Sequence, residues 1–151
     1  QHEQDSRKVR PMTQEMTEQG RLIFGELMGG NAAESMRITL SERGFGGDLA
    51  ELACQFAFAS VWGRDGLTRE QRSLVTLGAL IALRQTGELK NHVRAAINNG
   101  LTVKELEEAL IQTTPYVGFP AVASATTAFV EVLQERGIDA SAKSPEERGL
   151  L

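Results

Sequence analysis

Glu88 and His92 stand four residues apart in a stretch, Leu67 to Gly100, whose apolar residues recur at helical spacing. Side chains four apart share one face of a helix, so the carboxylate can accept a hydrogen bond from one imidazole nitrogen and fix which nitrogen is left for chemistry. The pair can then work as an oriented general acid or base. Glu/His pairs at this spacing are also common on helix surfaces, and two facts set this one apart. His92 is one of only two histidines in 151 residues, the other being His2, and it sits among Leu89, Val93 and Ile97, close to the apolar side of its helix. A half-buried imidazole needs a partner, and Glu88 is the obvious one.

The elements that must hold this pair are legible on either side. Thr68 with Gln71 forms a capping box, and Leu74, Val75, Leu77, Leu80 and Ile81 follow at helical spacing, which predicts a mostly buried helix. A second helix is expected from about Gly87 or Glu88 to Asn98-Asn99-Gly100, where Asn and Gly suit the left-handed residue that closes a helix.

Upstream, residues 1–12 read as a polar tail. Thr13 to Leu27 reads as an amphipathic helix ended by Gly29-Gly30-Asn31, and Ala32 to Leu40 as a short helix. Asp48 is the expected N-cap of a helix from Leu49 to Trp62. Small residues in it, Ala53 and Ala57 among them, allow close approach of a buried or subunit-facing neighbour, and Cys54 reads as a small buried hydrophobe.

Gly63 to Gly66 is a break. Downstream, Thr102 and Glu105 open a helix from Val103 to about Thr113, with Leu106, Ala109 and Leu110 inward, Glu105, Glu107 and Glu108 outward, and Pro115 as its stop. Tyr116 to Pro120 is a tight apolar connection, and a last helix runs from Pro120 or Ala121 to Arg136, closed by Gly137. No strand alternation or hairpin signal occurs, so the expected fold is all-α, with about six helices. The expected organisation is one domain, residues 13–137, between polar tails 1–12 and 138–151.

Lys and Arg number 16 against 20 Asp and Glu, a formal net charge of −4 and a pI near 5.3, which argues against a nucleic-acid binder. No apolar run is long enough to span a bilayer; Ala50 to Trp62 is too short and carries Glu51 and Gln55. There is no signal-peptide pattern at the start, and a soluble cytoplasmic protein is expected. A single cysteine excludes an internal disulfide and a Cys-x-x-Cys redox pair.

Four runs carry a resemblance. They are Trp62-Gly63-Arg64-Asp65-Gly66-Leu67, Arg72 to Leu77, Glu88 to Gly100, and Tyr116-Val117-Gly118-Phe119-Pro120-Ala121, and in that order and spacing they resemble the carboxymuconolactone decarboxylase family over about Thr13 to Gly137. The resemblance implies an AhpD-like helical bundle. The family's alkylhydroperoxidase branch carries Cys-x-x-Cys-x-x-x-His, and aligned on His92 its cysteine positions hold Gln85 and Glu88 here, while the glutamate of its proton relay falls near Ser73. Without a thiolate there is no nucleophile for peroxide reduction. What remains is the Glu-x-x-x-His form of the decarboxylase branch.

That branch implies a substrate, 4-carboxymuconolactone, whose own chemistry sets the requirements. Loss of CO2 leaves a carbanion conjugated through a double bond to the lactone carbonyl, so charge collects on that oxygen and no metal or organic cofactor is needed. The protein must hold two carboxylates, stabilise the dienolate oxygen and deliver a proton to the α-carbon. The resemblance implies His92 as proton donor or oxyanion partner, with Glu88 orienting it or sharing the proton. Arg72 is the first candidate for a bidentate carboxylate clamp. Its place in the first turn of a helix, where the dipole disfavours a cation, speaks for a specific partner.

Arg64 is a lesser candidate, and so is Arg94, which falls on a different helix face from His92 and reads more readily as solvent-facing or as a subunit contact. Gln85, Trp62 and Tyr116 are candidates for the pocket lining, though a lone aromatic is as readily core. The implied partners are a small carboxylate or lactone and further copies of the chain, in a trimer or hexamer. Two alternatives stay open: a relative acting on another lactone, unsaturated acid or quinone-like metabolite, and a binding or assembly protein that keeps the fold without the chemistry.

Overall fold

The computed structural model describes residues 13–139 and 141–150; the tail at 1–12 lies outside them. Seven α-helices and no strand occur among the described residues: α1 (Gln14–Met28), α2 (Gly30–Glu42), α3 (Gly47–Leu52), α4 (Arg69–Leu83), α5 (Thr86–Asn98), α6 (Val103–Val117) and α7 (Phe119–Glu135). The expected all-α fold is the one observed. The described residues divide into two compact units, one built from 13–25 with Gly30–Arg64, the other from Glu26–Gly29 with the described residues from Asp65 onward.

In the first unit α3 runs on without a break into a π-helical segment, Ala53–Trp62. Two bonds show its wider winding: the Gly63 N–H donates to the Phe58 carbonyl and the Ser60 hydroxyl to the Gln55 carbonyl, each five residues back and each at 2.9 Å. A glycine on the facing helix lets α1 approach this segment closely. Gly20 of α1 lies so close to the Cys54 carbonyl that any side chain at position 20 would collide with it. Beside that contact the Gln55 amide donates to the Thr17 hydroxyl at 2.8 Å, and Phe24 meets Phe58 edge to face at 5.0 Å.

Asp48 does not cap α3. Gly46, with φ at +88°, holds the cap position, the helix starts at Gly47, and Asp48 is exposed in the first turn, where its charge still favours the helix dipole. The helix after Gly29 is also longer than Ala32 to Leu40 at both ends.

In the second unit α5 packs on both α4 and α7, and α6 packs on the same two helices, so the four close a ring around one core. Leu77 and Ile81 of α4, Leu89, Val93 and Ala96 of α5, Leu106 of α6, and Phe129 and Val132 of α7 are nearly or wholly out of solvent within it. Both predicted capping boxes are present, Thr68 with Gln71 and Thr102 with Glu105. The turn between α4 and α5 falls earlier than Gly87: Arg84 takes the left-handed conformation (φ +57°), Gln85 is the N-cap of α5, and Gly87 lies inside the helix.

Pro115 does not stop α6. It sits in the last turn, where it forfeits one backbone bond, and the helix continues to Val117 before Gly118, at φ +87°, closes it. Nor is α4 mostly buried, because Leu74, Val75 and Leu83 are exposed on the single chain.

Candidate active site

Two opposite flanks of α5 do different work. On one, Lys90 pairs with Glu131 and Arg94 with Glu135, the latter through two bonds of 2.8 and 3.0 Å. Both partners advance four residues in the same direction, so α5 and α7 run parallel, stapled by rungs one turn apart. On the other flank, at about 100° per residue, Glu88, His92 and Asn99 fall within about 40° of one another. That flank faces α4, since the Asn99 amide donates to the Ser73 hydroxyl at 2.9 Å.

Burial deepens along this polar face. Gln85 and Glu88 at its outer end are exposed, His92 is half-buried with its Nδ1 out of solvent, and Ser73 at the inner end is 1 % exposed. Burial pushes the His92 pKa below its usual 6.5 because the charged ring loses water, and the Glu88 carboxylate works against that shift without cancelling it. His92 is therefore a neutral imidazole near pH 7. Asn91 reaches back to Glu88 at 3.4 Å and also accepts from Arg94 at 3.0 Å, so Glu88 stands at the end of a chain of contacts that starts at Glu135 on α7.

Arg72 lies in the first turn of α4, next to Ser73, half-buried and with its Nε out of solvent. Gln85 caps α5 with its backbone, its carbonyl accepting from the Leu89 N–H at 2.8 Å. Tyr116, near the end of α6, is 79 % exposed. Arg94 is engaged with Glu135 and Asn91. Trp62 and Arg64 belong to the first unit, where Trp62 is buried at the end of the π-helical segment and Arg64 follows it, exposed. The structure thus gathers Gln85, Glu88 and His92 on one helix, with Arg72 on the adjoining one.

Three polar residues of this region went unread in the sequence. Asn99 was legible only as a helix terminator, yet it lies seven residues after His92, nearly two full turns, which returns it to the same face. Asn91 and Ser73 carried no signal of their own.

A groove of about 440 Å³ runs between α4 and α6, floored by Leu74, Gly78 and Ala109 and edged by Lys104, Glu108 and Gln112; His92 and Glu88 do not line it. Cys54, the chain's one cysteine, is wholly buried and its thiol is pushed up by desolvation, the reverse of what a reactive thiolate needs. Among the described residues no group of three His, Cys, Asp or Glu side chains converges to hold a metal ion, and no helix is long and apolar enough to cross a membrane.

The model of the carboxymuconolactone decarboxylase family matches residues 47–131. A 4-carboxymuconolactone decarboxylase from Acinetobacter baylyi is 42% identical over 94 residues, 62% of this chain and 70% of the relative. A nitrosuccinic acid decarboxylase from Metarhizium robertsii is 38% identical over 96 residues, 64% of this chain and 67% of the relative.

Proposed function

The chain belongs to the carboxymuconolactone decarboxylase family and is a carboxy-lyase, and from that premise we propose that it decarboxylates 4-carboxymuconolactone to the enol-lactone without a cofactor, with His92 and Glu88 as its proton-transfer pair. The observation that carries this reading is a half-buried imidazole one turn from an exposed carboxylate, on a helix whose Leu89, Val93, Ala95 and Ala96 are buried.

The charge state of His92 fits the task. Neutral in the free protein, it becomes a better base once a substrate anion lies beside it, since a nearby negative charge favours the imidazolium. Binding would then load the proton that the reaction consumes. The bond to the departing carboxylate breaks, its electron pair passes through the double bond to the lactone oxygen, CO2 leaves, and His92 returns the proton to the α-carbon. Glu88, exposed at the outer end of the face, favours the imidazolium and relays a replacement proton from water. Arg72 grips the carboxylate that stays behind.

A second reading rests on the fungal relative. In nitrosuccinic acid one carboxylate sits on the carbon bearing the nitro group, which accepts the electron pair as the lactone does. The same acid and clamp would serve both, and the shared requirement is a substrate with a second carboxylate and an electron sink that ends on oxygen.

The assembly we propose is a homo-oligomer. Leu49, Leu52 and Phe56 are exposed at helical intervals along Gly47–Trp62, with Phe45 exposed in the turn before it, and another copy would cover such residues.

The deciding experiment is incubation of the purified protein with freshly generated 4-carboxymuconolactone and, separately, nitrosuccinate, following CO2 release, with His92→Ala as control. Release that depends on His92 from the first acid supports the primary reading, and release from nitrosuccinate alone selects the second. Release that survives His92→Ala removes the proposed acid.

A further inference from the structure

The first turn of α4 is held more firmly than its capping needs. Thr68 and Gln71 close the capping box, with bonds of 2.9 and 3.1 Å. Arg69 reaches the Glu26 carboxylate at 2.6 Å. The Glu70 carboxylate lies over Gly100, near enough that a side chain there would press on it. Ser73, almost wholly buried, accepts the Asn99 amide at 2.9 Å. Arg72 stands within this fastened turn and points a buried Nε into the protein.

The far side of this attachment is equally specific. Asn99 and Asn98 close α5 side by side: Asn98 donates to the Leu27 carbonyl at 2.7 Å and accepts from Arg136 at 2.9 Å, while Asn99 turns to Ser73. Asn99 has ordinary right-handed backbone angles (φ −79°, ψ −4°), open to any residue, so the turn itself does not call for asparagine. What calls for it is the amide. A buried hydroxyl given a fixed donor holds one rotation of α4 against α5, and that rotation sets where residue 72 points.

We propose that Asn99 and Ser73 are positioning residues for Arg72: their half-buried hydrogen bond fixes the first turn of α4 against the end of the His92 face, so that the guanidinium is presented at the inner end of that face. The inference rests on Arg72 as the carboxylate clamp. It adds that the clamp's affinity depends on a contact that touches no substrate.

The test uses cis,cis-muconate, a dicarboxylate with no lactone to open, and measures its dissociation constant calorimetrically for the full chain, alongside KM and kcat for 4-carboxymuconolactone. Asn99→Ala, Ser73→Ala, their double variant and Arg72→Lys are compared at equal melting temperature, with Asn99→Asp as a shape-preserving second variant. Each single alanine variant is expected to weaken muconate binding about three- to tenfold, the loss of one half-buried bond, with KM rising more than kcat falls. The double variant should be no worse than either single one, because both remove the same bond. Asn99→Asp should also weaken binding, since a carboxylate cannot donate to the Ser73 hydroxyl.

Weaker binding by Arg72→Lys together with unchanged binding by Asn99→Ala and Ser73→Ala would overturn the positioning role and leave the clamp. Unchanged binding by Arg72→Lys, or no binding of muconate by the unaltered protein, removes the clamp and the inference with it.

Discussion

Glu88 precedes His92 by one turn of α5, and the two act on the imidazole in opposite senses: burial of His92 lowers its pKa, and the Glu88 charge raises it by less. Removing the charge while keeping the shape should let burial act unopposed. Glu88→Gln is therefore expected to lower the His92 pKa further and, because the imidazolium is the proton donor, to move the alkaline limb of the kcat/KM profile to lower pH. A limb that stays in place would mean that Glu88 does not feel His92 during turnover.

The same shift makes stability depend on pH. An unfolded histidine titrates near 6.5 and the folded His92 below it, so beneath 6.5 the unfolded chain takes up a proton that the native chain refuses. The stabilisation is complete above 6.5 and is lost as pH falls through the folded value. Between about pH 7 and pH 5 the melting temperature should fall further for the unaltered protein than for His92→Gln. Equal slopes would show that His92 is not held neutral by its surroundings.

For catalysis itself, His92→Ala should cut kcat by about two to four orders of magnitude, the range for loss of a positioned acid, while the far-ultraviolet spectrum stays helical. Arg72→Lys should raise KM about tenfold with a smaller change in kcat, because an ammonium cannot reproduce the two parallel bonds of a guanidinium. Each is read by steady-state kinetics of CO2 release.

Arg94 tests the opposite case. It sits two residues from His92, but its guanidinium is taken by Glu135 and Asn91 on the flank that faces α7. Arg94→Ala should leave KM within about twofold. Its cost should appear in stability instead, as a small loss for a pair this exposed, measured by urea denaturation.

What could be read from the chain followed from local chemistry. The two capping boxes announced α4 and α6 because their signal is complete within four residues, and the Glu88/His92 pair was visible because helical spacing alone puts it on one face. Contacts between helices were not legible. Nothing local shows that Asn99 meets Ser73 across 26 residues, or that Lys90 and Arg94 staple α7 in parallel. The left-handed turn at Arg84 had no local signal either, because the conformation is usual for glycine and an arginine does not announce it.

That arginine offers the last prediction. A non-glycine residue in the left-handed region costs about 1 kcal/mol, and the two-residue link between α4 and α5 leaves no slack to relieve it. Arg84→Gly removes the side-chain clash while adding disorder to the unfolded chain, and Arg84→Asn lowers the strain without that entropic loss. Both should raise stability by a few tenths to about 1 kcal/mol in urea denaturation, with the gain from Arg84→Asn at least equal to that from Arg84→Gly. Gln85 follows Arg84 directly and opens the His92 face, so kcat/KM measured on the same variants separates two roles for the strain. Unchanged kcat/KM in a stabilised Arg84→Asn protein would make it a folding cost only. A fall in kcat/KM alongside the gain would show that the left-handed turn holds the outer end of the site in its working position.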